Sequence, residues 1–298
     1  MMHDDEVAID LPTVRTLIHD QFPEWRGLEV EAVRSAGTVN AIFRIGSELA
    51  ARFPLLGESA AAVETLLASE SVAMSELAGR CPFPAPRPVA IGQPGQLYPF
   101  PWSVQTWLPG EVATPDGLAG STPFALDLIA LITALRATDT LGRTYSGAGR
   151  GGDLRGQDEW MARCFDESAG LLDVASLRAL WERLRDLPIS GPDVMSHGDL
   201  IPANLLVHDG RLVGVLDGGG FKPADPALDL VAAWHLLNGD TWAVVRDELG
   251  CEDVEWKRGA AWAFAQSMGL VWYYRSSNQG MAALGRSTLD RLLADREL

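Results

Sequence analysis

Lysine is almost missing from this chain. Of the 24 basic residues among 298, only Lys222 and Lys257 are lysines, so any chemistry that needs a cation before residue 222 has to use arginine or histidine. Cysteine is scarce as well. Cys81, Cys164 and Cys251 are far apart, odd in number and show no Cys-x-x-Cys spacing. That excludes a disulfide framework and a cysteine-zinc site, and fits a reduced compartment. Positive charge is in deficit: 24 basic residues face 40 acidic ones, for a formal net charge of −16. Nucleic acid, whose phosphates require a basic face, is therefore not an expected partner, whereas a cationic small molecule suits the acidic balance. No run approaches the ~18 uninterrupted apolar residues of a membrane span. The first residues, Met-Met-His-Asp-Asp-Glu, are acidic where a signal peptide is basic and then apolar. The expectation is a cytoplasmic protein with no membrane association.

What is present is a globular composition, 47% hydrophobic and 21% charged, in a length that suggests two domains. Leu11, Val14, Leu17 and Ile18 share a helical face over 11–22, with Pro12 near the start. Strands are expected at 28–33, 40–45 and 49–53, then a helix over 59–79. The prolines at 82, 84, 86 and 88 demand an extended connector. Two further strands follow at 89–92 and 102–108, ended by Pro109-Gly110. Beyond Thr122-Pro123, which reads as a cap and first helical position, the chain becomes helical. Helices are expected over 124–135, around Leu177–Leu184, and over 226–237 and 255–275, the last two apolar nearly all round. The composition changes near 108–111, giving residues 1–108 as a small strand-rich lobe and 109–298 as a larger, mainly helical one. The fold class is α+β.

The sharpest signal is Ser196-His197-Gly198-Asp199-Leu200-Ile201-Pro202-Ala203-Asn204-Leu205-Leu206-Val207, followed by Gly214-Val215-Leu216-Asp217. Leu205–Val207 and Gly214–Leu216 read as a hairpin across Asp209-Gly210, which leaves Asp199 and Asn204 before one strand and Asp217 after the other. Phosphoryl transfer from a nucleoside triphosphate needs a carboxylate to orient the attacking hydroxyl, and an amide and a second carboxylate to hold Mg²⁺. An aspartate base five residues ahead of an asparagine metal ligand is the spacing of the kinase catalytic loop. Singly, each of the three would be an ordinary turn or strand-end residue.

His197-Gly198-Asp199-Leu200-x-Pro202-x-Asn204 and Leu216-Asp217-x-Gly219, followed by Asp225-Pro226-Ala227-x-Asp229-Leu230, resemble the aminoglycoside phosphotransferase family. The resemblance covers most of the chain, including Trp107-Leu108-Pro109-Gly110-Glu111 between the lobes. It implies the two-lobed protein-kinase-like fold, Asp199 as catalytic base, and Asn204 and Asp217 as Mg²⁺ ligands. It also implies that His197 braces the loop and Asp229 anchors it. Ile201 and Ala203 depart from the family's usual His and Gly without removing a ligand. Gly218-Gly219-Gly220 replaces a bulky and an acidic residue, and is expected to leave Asp217 loosely held.

In the first lobe the phosphates need a cation, and with no lysine available Arg52 is the candidate, because arginine grips phosphate bidentately. Glu70 is its expected partner, with Glu64 the competitor. Ser35 and Gly37 belong to the loop expected over the phosphates, and Gln105 to Leu108, including Trp107, to the segment expected to receive the adenine. Gly147-Ala148-Gly149-Arg150-Gly151-Gly152 fits the dinucleotide fingerprint, yet no strand precedes it and no helix follows, so it reads as a mobile surface loop. Trp272-Tyr273-Tyr274 could line a substrate cleft, although aromatic residues in an apolar helix read first as core. The expected activity is transfer of the γ-phosphoryl of ATP or GTP to a hydroxyl of an aminoglycoside-type or other antibiotic. Asp240, Glu248, Glu252, Asp253 and Glu255 are available to receive its ammonium groups. A metabolic kinase for an amino alcohol, sugar or macrolide is the alternative, as is a nucleotide-binding module without transferase activity. A protein kinase is not expected, because Asp225-Pro226-Ala227 follows Asp217 too closely to leave an activation loop.

Overall fold

The computed structural model describes residues 7–33, 39–147 and 149–298. The chain divides into two compact units, one of Met1–Gly79, Pro84–Pro109 and Leu216–Gly219, the other of Arg80–Phe83, Gly110–Val215 and Gly220–Leu298. The short segment Leu216–Gly219 thus leaves the helical part of the chain to join the strand-rich unit.

The first unit opens with α1 (Leu11–Gln21), whose N-terminus is capped by Asp10 accepting from the Thr13 N–H at 2.9 Å. Strands β1 (Val30–Val33), β2 (Asn40–Ile45) and β3 (Leu49–Pro54) form a meander, followed by helix α2 (Ala60–Arg80) and strands β4 (Pro88–Gly92) and β5 (Trp102–Thr106). The antiparallel sheet has the order β1-β2-β3-β5-β4. β5 therefore has partners on both sides. Side chains alternate along a strand. On β3 this sends Ala51 and Phe53 into the core with Phe43, Tyr98 and Trp102, and Arg52 to the opposite face. Phe53 stacks on Trp102 at 4.7 Å between centroids, and the Tyr98 hydroxyl donates to the Pro54 carbonyl at 2.6 Å.

The second unit contains β6 (Glu111–Val112), α3 (Pro115–Leu118), α4 (Thr122–Arg136), α5 (Asp158–Glu167), α6 (Val174–Leu184), β7 (Val194–Ser196), β8 (Leu205–His208), β9 (Arg211–Val215) and β10 (Lys222–Ala224). It closes with α7 (Val231–Leu236), α8 (Gly239–Glu248), α9 (Asp253–Tyr273) and α10 (Gln279–Ala294). β8 and β9 pair antiparallel across Asp209 and Gly210, both at positive φ (50° and 72°), the conformation such a tight hairpin requires. Asp127 of α4 holds this hairpin: it accepts from Arg211 Nε at 2.7 Å and Nη2 at 2.6 Å, and from the Leu212 N–H at 3.0 Å. The hydrogen bonds of Arg211 keep the Asp127 carboxyl below the usual carboxylate range. The helix expected over 226–237 is instead a 3-10 turn, Leu228–Leu230, running into α7. Asp229 has its carboxylate turned to the backbone before β8, and the break supplies the turn that lets it do so. α9 is buried along most of its length, as its apolar circumference requires. Among the described residues no helix is long and apolar enough to cross a membrane.

Candidate active site

The loop that follows β7 is fixed from below. The Asp229 carboxylate accepts the backbone N–H of His197 at 2.8 Å and of Gly198 at 3.0 Å. Gly198 adopts φ +82°, a conformation that favours glycine, and so turns the chain toward Asp199. His197 is buried, 1% exposed, and its Nδ1 accepts from the Asp199 N–H at 3.4 Å. Asn204, at the end of a 3-10 turn of Pro202–Asn204, donates from Nδ2 to the Asp199 carbonyl at 2.9 Å and to Asp199 Oδ2 at 3.3 Å. Its amide oxygen makes no hydrogen bond among the described residues.

Two groups the sequence did not single out complete the surroundings of Asp199. Arg150 Nη2 lies 2.6 Å from Asp199 Oδ1, and Gln266 Nε2 of α9 lies 3.3 Å from the same oxygen. Behind Gln266 runs a buried polar chain. His235 Nε2 is 3.0 Å from Gln266 Oε1, and His235 Nδ1 is 2.9 Å from Thr288 Oγ1. The Gln266 amide, having its NH₂ on Asp199, presents its oxygen to His235, so the imidazole carries its proton on Nε2 and accepts from Thr288. Burial pushes the His235 pKa down to about 4, which keeps the ring neutral.

Arg150 comes from the stretch expected to be a surface loop, and the two residues after it are tied to the rest of the unit. The Gly151 carbonyl accepts the Asp225 N–H at 2.8 Å and the Gly152 carbonyl accepts Arg258 Nη2 at 2.9 Å. Arg258 and Asp225 form an ion pair with both side chains 1% exposed, and Asp225 also accepts from Trp262 Nε1 at 2.8 Å. The signal for this anchor was in the sequence. Arg258 and Gln266 fall among the buried apolar positions of α9, and a buried charge or amide there demands partners.

In the first unit, Arg52 Nη2 pairs with Asp217 Oδ1 at 2.7 Å, rather than with Glu70. Glu70 stands nearby, and burial raises its pKa while the Arg52 charge opposes the rise. Asp217 has φ +58°, an unusual but tolerated left-handed conformation for aspartate. The glycines after it, expected to leave Asp217 loosely held, lie close against α2. A Cβ on Gly218 would lie 2.4 Å from Leu77 Cδ2, and one on Gly219 2.9 Å from Glu70 Cγ. Their bareness is what lets the turn of Gly218–Gly220 approach α2. Gln105 and Glu70 line one small cavity with Leu67, Ser71, Met74 and Val104. The Thr106 and Trp107 N–H groups donate to the Arg87 and Glu48 carbonyls at 2.9 and 2.7 Å, so those donors are not free for an adenine. Ser35 and Gly37 lie outside the described residues.

Two of the acidic side chains expected to receive ammonium groups are engaged in ion pairs. Asp253 pairs with Lys257 at 2.9 Å and Glu255 with Arg136 at 2.6 Å. Along α9, at 1.5 Å per residue, Glu255 and Asp253 stand about 16–20 Å from Gln266. Asp240, Glu248 and Glu252 are exposed on the neighbouring stretch. Trp272, Tyr273 and Tyr274 are half-buried, not core.

A family model, APH: Phosphotransferase enzyme family, matches residues 32–262. An aminoglycoside 3'-phosphotransferase of Escherichia coli is 39% identical over 59 residues, 20% of this chain and 22% of that protein. Among solved structures, the GDP and kanamycin complex of APH(2")-IIia aligns with TM-score 0.69 at 20% identity, covering 95% of this chain and 99% of that one. Macrolide 2'-phosphotransferase MphH from Brachybacterium faecium aligns with TM-score 0.58 at 20% identity, covering 96% of this chain and 99% of that one. At these identities the structures speak for the fold, which is the kinase-like one of antibiotic phosphotransferases.

Proposed function

The chain belongs to the phosphotransferase enzyme family, and from that premise we propose that it moves the γ-phosphoryl group of ATP or GTP to a hydroxyl of a small-molecule antibiotic. The observation that carries the reading is the carboxylate of Asp199, held on a loop bolted to Asp229 and oriented by Asn204, Gln266 and Arg150. A base must be fixed in place, because proton transfer tolerates little misplacement. Oδ1 takes two donors and Oδ2 only the longer contact from Asn204, so Oδ2 is the oxygen left to accept the hydroxyl proton. His197 braces the backbone and does not reach the reaction.

Arg52 is assigned to the triphosphate, with Glu70 behind it in the same unit. Gln105 and Trp107 are assigned to the base-binding segment through groups other than the Trp107 N–H. Ser35 and Gly37 are assigned to the phosphate loop. The donor set suits Mg²⁺, which takes one or two carboxylates or amide oxygens plus phosphates and waters. The uncommitted amide oxygen of Asn204 and the half-exposed carboxylate of Asp217 are the ligands assigned to it. Bound there, the ion would neutralise charge on the β- and γ-phosphates. Arg52 then has a second task, since its pairing keeps the Asp217 side chain in one orientation.

An aminoglycoside is the first acceptor to test, supported by the kanamycin bound to the relative described above. A macrolide-type acceptor is the second reading, favoured by the half-buried Trp272, Tyr273 and Tyr274 and by the likeness to MphH. The experiment is triphosphate consumption by the purified protein with ATP or GTP against hydroxylated antibiotics of both classes. Asp199→Asn should bind nucleotide normally and lower kcat by roughly 10²–10⁴-fold. Undiminished turnover in that variant would move the base elsewhere. Absence of turnover with every acceptor would favour a nucleotide-binding module.

A further inference from the structure

We propose that Arg150 is a catalytic cation of the transfer step, holding Asp199 before the reaction and sharing its guanidinium with the migrating phosphoryl group during it. This rests on the phosphotransfer reading above. The loop His197–Asn204 contains no lysine or arginine of its own, so positive charge beside the base has to come from another part of the chain. It comes from Arg150, with its Nη2 2.6 Å from Asp199 Oδ1 and both side chains about one-third exposed, at 35% and 34%.

An exposed ion pair alone would contribute little. What distinguishes this one is how it is held. On the C-terminal side of Arg150, the Gly151 and Gly152 carbonyls are fastened by Asp225 and Arg258, a fully buried ion pair. On the N-terminal side, the Gly149 carbonyl accepts from the Tyr145 hydroxyl at 2.6 Å, and the Tyr145 N–H donates to Asp193 Oδ2 at 2.7 Å. The backbone on both sides of Arg150 is therefore tied by hydrogen bonds, while its side chain keeps about a third of its surface open to solvent.

The geometry of transfer brings the phosphoryl group to it. The acceptor hydroxyl must sit within about 2.6–3.2 Å of Asp199 Oδ2. Its oxygen must also lie about 3–3.5 Å from the phosphorus it attacks. The equatorial phosphoryl oxygens thus arrive next to a guanidinium that already touches the other oxygen of the same carboxylate. Arginine has five N–H donors, and Arg150 spends one of its nitrogens, Nη2, on Asp199. In the step itself the acceptor O–H proton passes to Asp199 and the acceptor oxygen bonds to Pγ. The bond from Pγ to the β,γ-bridging oxygen breaks, and its electron pair leaves with the nucleoside diphosphate. The proton then departs from Asp199 to solvent. As Asp199 gains the proton it loses its charge, its hold on Arg150 slackens, and the guanidinium turns to the oxygens where negative charge has gathered. An arginine supplied in cis has this role in other phosphoryl-transfer enzymes.

The test uses the full chain, its best acceptor from the panel, and the variants Arg150→Ala, Arg150→Lys and Arg150→Gln. Arg150→Ala should lower kcat roughly 10³-fold, with KM for nucleotide and acceptor changed no more than about threefold. Added guanidinium chloride at millimolar levels should restore part of kcat in Arg150→Ala and none in the parent, and Arg150→Lys should keep more activity than Arg150→Gln. Thermal melting of the variants at the parent's temperature keeps a folding defect from passing as the effect. A kcat for Arg150→Ala near the parent's would reduce the pair to a surface contact. Loss confined to the acceptor KM would make Arg150 a binding residue. Loss of kcat with no guanidinium rescue and no recovery in Arg150→Lys would make it a structural latch. Each of these overturns the proposal while leaving the parent's activity in place, whereas a parent that consumes no triphosphate removes the phosphotransfer reading itself.

Discussion

Arg52 shows how one side chain can answer two needs. Side chains of β3 are buried on both faces of the sheet, Ala50, Arg52 and Pro54 on one and Ala51 and Phe53 on the other, and a charged side chain survives there only with a partner. Asp217 is that partner at 2.7 Å, and the bare Gly218 and Gly219 allow it to come so near. Arg52→Ala should therefore weaken nucleotide affinity and also raise the Mg²⁺ concentration needed for half-maximal turnover, since Asp217 loses its orienting contact. Arg52→Lys should recover part of both, because the charge returns without the planar fork. Nucleotide titration and a Mg²⁺ dependence of kcat check this, and a variant equal to the parent in both would take Arg52 out of the donor site. Arg52 and Asp217 were each named as candidates from the sequence, one by the lack of lysine and the other by its motif. Their pairing was not, since 165 residues separate them and only the folded turn of Gly218–Gly220 brings them together.

At the scale of the element, α7, α9 and α10 enclose the polar chain of Gln266, His235 and Thr288 within an otherwise apolar bundle. His235 is fully buried, and its pKa is lowered to about 4 from an ordinary value of 6.5. Between those values the unfolded chain binds a proton that the folded one does not, so stability rises with pH. Read downward, stability is lost as pH falls from about 6.5 to about 4, and this group adds no further loss below that. At 1.36 kcal/mol per pH unit the full loss is on the order of 3 kcal/mol. Urea midpoints of the parent should fall across that window, and His235→Gln should flatten the dependence while shifting the midpoint at neutral pH. A parent with a level profile between the two values would show that the ring is solvated. The helices carrying this chain were partly legible. The apolar circumference announced α9, and the Asp209-Gly210 turn announced the β8–β9 hairpin. α5, α8 and α10 were missed, although α10 has a cap at Asn278 and buries Leu284, Leu289 and Leu292 on one side. The two-residue strand β6 and the three-residue strands β7 and β10 have too few positions for alternation to register.

For the whole molecule the governing quantity is a net charge of −16. It bears on the acceptor through distance. The acidic side chains at the start of α9 stand about 16–20 Å along the helix from Gln266. Asp253 and Glu255 among them are already paired. Next to Asp199 the charged neighbour is Arg150, which repels an ammonium group. A cationic acceptor would therefore gain from the overall field and not from contact at the reacting hydroxyl, and such a gain is a matter of encounter rate. Fields of that range are screened by salt, because the Debye length shrinks from about 10 Å at 0.1 M to about 3 Å at 1 M. With nucleotide saturating, kcat/KM for an aminoglycoside should fall roughly tenfold or more from low to high salt while kcat stays level. For a macrolide-type acceptor resting on Trp272, Tyr273 and Tyr274, kcat/KM should hardly change, because burial of apolar surface does not depend on charge screening. Steady-state kinetics across a salt series, run in parallel on both acceptor classes, would separate them. An aminoglycoside whose kcat/KM ignores salt must be held by close contacts, which would contradict the placement of the acidic residues and return the acceptor site to the surface around Asp199.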